Sequence, residues 1–232
     1  MTLHFVFDLL ALASAWLVSS RFRDRYFTPG ISPIPPHHLH AYLLTALIGL
    51  VVGSLLFGSL NLYFSEQSAI GKSVLGGLAG AIFATETFKR ITKLRTSTGI
   101  LFIPGLAIGI IVGRIGCYLG GLDDYTYGTA TNLPWGVDFG DGLARHPVQL
   151  YESISMAIFL LFFLISFVRH KLFWLNKGFY IFVLFYTGQR FIWEFLKPYP
   201  TIGLSLNIFH ILSLILIIYA VIMLTKTHRH AS

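Results

Sequence analysis

Long apolar runs separated by short polar segments set the pattern of this chain. Seven runs approach the roughly 20 mostly apolar residues that a helix needs to cross a bilayer. They lie at about 3–19, 40–62, 70–88, 99–119, 148–168, 176–195 and 203–225. The pattern predicts an all-α integral membrane protein, one membrane domain over 1–232 with seven transmembrane helices. The third run is the weakest, carrying Gly71, Gly76, Gly77 and Gly80 and ending near Glu86. It reads as short or re-entrant, with a small-residue face suited to close helix packing. Residues 1–18 hold His4 and Asp8 but no basic leader and no clear cleavage site, so they read as the first span and not a signal peptide.

Composition agrees with the pattern. The chain of 232 residues is 55% hydrophobic and only 12% charged, against about a quarter charged in soluble domains. A net charge of +7 would suit nucleic acid if it were clustered, but here the positive residues punctuate the apolar runs. Most of the 17 Lys/Arg fall after runs one and three, between runs five and six, and after run seven; Lys72, Arg114, Arg145, Arg190 and Lys197 are the exceptions. The long segment 120–147 instead carries Asp123, Asp124, Asp138 and Asp141. Because Lys/Arg mark cytoplasmic loops, this asymmetry predicts seven spans with the N-terminus outside and the C-terminus inside. Segment 120–147, with Tyr125, Tyr127, Pro134 and Trp135, is expected to form a small outer-face cap between spans four and five, its aromatics near headgroup level. Cys117 is the single cysteine, which excludes an internal disulfide.

Topology then places several polar residues at one depth. Arg114 and Arg190 each lie about five residues before the outer end of a span, roughly 7–8 Å at 1.5 Å per residue. Arg145 and His146 open span five from the outside, Glu152 follows within two turns, and His210 lies about two turns into span seven. Tyr186 and Arg190, and Arg190 and Glu194, are spaced i, i+4 and share a helix face. An arginine within a membrane segment is expensive and marks a functional site by default. Three arginines with few acids to neutralise them suit an anionic headgroup, because guanidinium grips phosphate with two parallel hydrogen bonds. Structural readings stand beside this one. Arg190 with Glu194 suits an intrahelical ion pair, Arg145 a snorkelling residue, His210 a hydrogen-bonded bundle residue, and Cys117 either a small filler or a thiolate favoured by Arg114. The histidines have no metal-ligand spacing, so neither a metal nor a cofactor is expected.

These residues carry a resemblance. Gly113-Arg114-Ile115-Gly116, then Leu133-Pro134-Trp135-Gly136-Val137, then Arg145-His146-Pro147-Val148-Gln149-Leu150-Tyr151-Glu152 closely resemble the signature of the prolipoprotein diacylglyceryl transferases. Tyr186 through Arg190-Phe191-Ile192-Trp193-Glu194 is similar to that family's second arginine block, and His210-Ile211-Leu212-Ser213-Leu214 to its closing segment, with His where Gln is usual. The resemblance runs from about Gly71 to the C-terminus. It implies a bacterial inner-membrane, multi-pass enzyme whose site faces the outer leaflet. Such an enzyme moves the diacylglyceryl group of phosphatidylglycerol onto the thiol of a prolipoprotein lipobox cysteine, with no nucleic acid involved. It implies catalytic roles for Arg114, Arg190, Tyr186 and His146, and substrate contacts for Arg145, Glu194, Gln149, Tyr151, Glu152, Cys117 and His210. The family's His-Gly-Gly reads Leu75-Gly76-Gly77 here, and its usual asparagine after Gly-Arg-Ile-Gly is Cys117. A member that binds phospholipid as an accessory protein, or one that modifies a different acceptor, is the alternative.

Overall fold

A computed structural model describes residues 2–27, 34–66, 70–94, 96–202 and 204–229, the side chains of 2–4 and 227–229 excepted. Arg95 and the side chains of His4, His228, Arg229 and His230 lie outside the described residues. Seven α-helices occur among those described: α1 (Thr2–Tyr26), α2 (Pro36–Phe64), α3 (Val74–Ile91), α4 (Ile103–Gly120), α5 (Val148–Arg169), α6 (Lys171–Glu194) and α7 (Ile208–Arg229). Each matches one predicted run. Within the described residues, five segments are long and apolar enough to cross a membrane: Phe5–Tyr26, Pro36–Phe64, Gly99–Asp124, Val148–Arg169 and Ile208–Lys226. The segments of α3 and α6 fall outside that set, with Glu86, Lys89 and Arg90 on α3 and Lys171, Lys177, Arg190 and Glu194 on α6.

The helix ends follow from local chemistry. Pro36 opens α2, at a position whose amide would have no intrahelical partner anyway. Ser73 caps α3 by accepting a hydrogen bond from the Gly76 amide at 3.1 Å. The third run thus forms a continuous helix of 18 residues, shorter than its apolar run and outside the membrane-crossing set. Asn207 Oδ1 accepts the amides of Phe209 and His210, each at 3.0 Å, so α7 starts later than its apolar run. Helix α6 starts earlier than its run, leaving only His170 between it and α5. Trp174 fastens that turn by donating Nε1–H to Ser166 Oγ at 2.9 Å.

The chain forms two compact units. The first comprises Met1–Phe27 and Gly99–Pro198. In it α1 runs past its apolar stretch because Phe22 packs on Phe163 and Phe167, with ring centroids 5.7 and 5.0 Å away. Helix α4 lies against α1 and α5, and Ser153 on α5 donates its hydroxyl to the Ile111 carbonyl at 3.0 Å. Segment 120–147 folds into a short 3-10 turn and an antiparallel hairpin of β1 (Val137–Asp138) and β2 (Ala144–Arg145). Asp138 Oδ1 accepts the amides of Gly140 and Gly142 at 2.8 and 3.0 Å, both glycines having left-handed backbone. Backbone bonds from Thr129 to Leu196 (2.7 Å) and from His146 to Thr129 (3.0 Å) tie the segment to the end of α6 and the start of α5.

The second unit comprises Thr28–Thr98 and Tyr199–Ser232. Its α2 and α3 meet along a glycine seam pairing Gly49 with Gly80 and Gly53 with Gly76, continued just before α3 by Gly58 with Gly71. A Cβ at Gly76 would lie 2.5 Å from the Gly53 carbonyl oxygen, so only hydrogen fits. The small-residue face read in the third run therefore packs backbone against backbone. Glu86 joins this unit's helices, accepting from Lys89 Nζ at 2.9 Å and from the Tyr219 hydroxyl at 3.0 Å.

Candidate functional site

At one end of the first unit, three helices bring their charged residues together. Helix α4 places Arg114 six residues before its end, α5 presents Glu152 just beyond its first turn, and α6 presents Arg190 and Glu194 in its last turn. Glu152 is the hub. Its Oε2 lies 2.7 Å from Arg114 Nε, and its Oε1 pairs with Arg190 Nη1 and, at 2.9 Å, with Lys197 Nζ. Arg190 Nη2 pairs in turn with Glu194 Oε2 at 2.7 Å. All five residues are buried, with Arg114 6% exposed, Arg190 3% and Glu152 0%. An isolated carboxylate in such a place would cost several kcal/mol of desolvation, and its three cationic partners offset that penalty.

Geometry corrects the sequence reading in two respects. Three arginines with few acids were expected to converge; the structure instead joins Arg114, Arg190 and Lys197 through Glu152 and Glu194. Arg145 points elsewhere. Its Nε donates to Asp141 in the hairpin turn at 3.0 Å, and its guanidinium lies 5.0 Å from the Tyr127 ring centroid. That bond holds the Asp141 carboxyl below the usual carboxylate range. The i, i+4 pairing of Arg190 with Glu194 is present, and Glu194 is one link of a larger network.

The other predicted residues divide by unit. Tyr186 is fully buried one turn before Arg190, its ring stacked on Phe182. Arg114 Nη1 approaches Cys117 Sγ at 3.9 Å, a contact along one face of α4. Gln149 lies one turn before Glu152 on the buried face of α5, and neither amide atom has a hydrogen-bond partner among the described residues. The hydroxyl of Tyr151 accepts Nε1–H of Trp135 at 2.9 Å and lies 3.4 Å from His146 Nδ1, and the Tyr151 ring packs on Trp193. His210 belongs to the second unit, where its Nδ1 accepts the Asn207 amide at 3.2 Å. Leu75, also in that unit, is a buried apolar side chain at the start of α3.

Sequence reasoning missed Lys197 as a member of the cluster. Its signal was available, as a lone lysine seven residues after Arg190, outside the basic loops, directly before Pro198. It missed the Trp135–Tyr151 hydrogen bond because 16 residues separate the partners and no periodicity relates them.

Long apolar helices around a buried network of two arginines, a lysine and two glutamates define a helical membrane protein with a polar centre held between helices. The sequence pattern of the family described as prolipoprotein diacylglyceryl transferase matches residues 5–226, and the chain belongs to that family. Similar proteins include phosphatidylglycerol–prolipoprotein diacylglyceryl transferases of three bacteria. That of Solidesulfovibrio magneticus is 33% identical over 68% of this chain and 63% of its own length. That of Rickettsia bellii is 31% identical over 94% and 88%. That of Methylococcus capsulatus is 28% identical over 97% and 90%. The match therefore spans less than two thirds of the Solidesulfovibrio protein but most of the other two.

Proposed function

We propose that this protein transfers a diacylglyceryl group from phosphatidylglycerol to the cysteine thiol of a prolipoprotein. One observation carries the reading: guanidinium groups from two separate helices, Arg114 and Arg190, meet at a single carboxylate, Glu152. In the resting protein that carboxylate stands where a phosphate would be gripped. On binding, the phospholipid phosphate takes over hydrogen bonds from Arg114 and Arg190, and Lys197 keeps Glu152 paired. In the reaction a sulfur–carbon bond forms, the carbon–oxygen bond to the phosphate breaks, and glycerol phosphate leaves with the electron pair. Charge grows on the leaving phosphate, and buried cations fixed beforehand stabilise that growth better than water does. Tyr186 flanks the arginines. His146, its Nδ1 facing Tyr151, offers Nε2 for proton exchange with the thiol.

The membrane placement follows the same reading: seven spans in one membrane domain, N-terminus outside, the site in the outer leaflet of a bacterial cytoplasmic membrane, and segment 120–147 as its cap. Lys171 Nζ donates to the Tyr26 carbonyl at 3.0 Å, so the basic end of α1 meets the basic α5–α6 turn. That clusters Arg21, Arg23, Arg25, Arg169 and Lys171 at one end of the unit, as a cytoplasmic face requires.

A second reading rests on Leu75, where the resemblance leads one to expect a histidine: a member that binds phospholipid without transferring it, or that serves another acceptor. Purified protein with labelled phosphatidylglycerol and a lipobox peptide separates the two. Diacylglyceryl thioether on the peptide supports the transferase; lipid retention with no thioether overturns it in favour of the second reading.

A further inference from the structure

Gln149 is a predicted contact on the same helix face as Glu152 that takes no part in the charge network. Its side chain is 0% exposed, and both Oε1 and Nε2 are buried without a hydrogen-bond partner among the described residues. Buried amides nearly always have partners, so an orphaned pair of donor and acceptor calls for a group that supplies both. The position narrows the choice. Gln149 and Glu152 are three residues apart on the buried face of α5, which sets their Cβ atoms about 5–6 Å apart. A group read by Gln149 therefore sits beside whatever occupies the arginine–glutamate network.

Resting on the proposed function, we infer that Gln149 reads the headgroup attached to the phosphate, and selects a hydroxyl-bearing one. A hydroxyl donates to Oε1 and accepts from Nε2, so it satisfies both amide atoms. An ethanolamine ammonium donates only, which leaves the Nε2 hydrogens without an acceptor and adds a cation beside Arg114, Arg190 and Lys197. A site built to hydrogen-bond a hydroxyl rejects analogues that lack it, because its own polar atoms are then left bare. A peptide amide of the acceptor also offers a donor and an acceptor. The headgroup is favoured because its glycerol is bonded directly to the phosphate, whereas the acceptor reaches the site through its thiol.

The test measures binding of phosphatidylglycerol and phosphatidylethanolamine to the purified full chain, for wild type, Gln149→Met and Gln149→Glu, with lipobox peptide KM read in parallel. Wild type is expected to prefer the glycerol headgroup about tenfold or more, the worth of one hydrogen bond. Gln149→Met, similar in size but without the amide, is expected to bring the ratio near one. Gln149→Glu, which only accepts, is expected to shift it further towards ethanolamine. An unchanged ratio in both variants overturns the inference, as does a raised peptide KM with the ratio intact. Arg114→Ala keeps the two levels apart: if it binds phospholipid like wild type, the phosphate reading itself fails, whereas lost binding there with an unchanged Gln149 ratio removes only the headgroup assignment.

Discussion

Arg114 Nε and Glu152 Oε2 stand 2.7 Å apart and join α4 to α5 inside the first unit. Because Glu152 also engages Arg190 and Lys197, this contact belongs to a network that no single helix could form. A buried carboxylate with three cations is stable as a set and expensive to break.

Turnover is expected to depend on the buried guanidiniums and to ignore exposed ones. Arg114→Ala or Arg190→Ala should lower thioether formation about 100- to 1,000-fold, the usual effect of removing one preorganised donor from a developing negative charge. Arg21→Ala, on the exposed end of α1, should leave it within twofold. Equal losses in all three would undo the assignment.

Stability should respond to the hub more than to its spokes. Glu152→Ala removes the carboxylate that Arg114, Arg190 and Lys197 share, leaving Arg190 only its bond to Glu194 within the network, and is expected to cost about 3–5 kcal/mol. The double variant E152Q/K197M removes opposite charges together and should lose less melting temperature in detergent than E152Q and K197M lose in sum. Additive losses would show that the two residues are not coupled.

In the second unit, Gly80→Leu should separate α2 from α3, since any Cβ there strikes the Gly49 backbone. The expected readout is loss of folded protein in detergent size-exclusion profiles. Gly188→Ala, at a helix position with open space around it, should behave as wild type.

The hairpin should loosen in acid. Asp141 has its carboxyl lowered by the hydrogen bond from Arg145. A group with a depressed folded value contributes stability above the unfolded carboxylate range, about 3.9, and loses it as pH falls through the folded value. Trp135 emission should therefore hold above about pH 4 in wild type and change as the pH falls below it. In Asp141→Asn that acid-dependent step should be absent; an identical step in both would sink the link.

Much of this fold could be read from the chain, for a physical reason. Lipid leaves a helix no outside partner for its backbone, so runs of apolar residues mark helices directly. All seven runs became helices, and the glycines of run three became the seam with α2. Boundaries drifted where side chains, not hydropathy, decide them: Phe22 extends α1, Trp174 brings α6 forward, Asn207 delays α7. At the site, Arg114, Arg190, Glu152 and Glu194 were visible because charge in an apolar run stands out. What spacing could not reveal was pairing between helices. Nothing local indicates that Glu152 gathers Arg114, Arg190 and Lys197, or that Asp141 claims Arg145.

The glycine seam has a bearing on lipid traffic. With Gly53 and Gly76 in backbone contact, no acyl tail can slip sideways between α2 and α3, and that pair acts as a sealed wall. Under the proposed transfer, lipid therefore has to pass by some other gap than this one. Bulky labels placed along this seam would disturb the packing of α2 on α3.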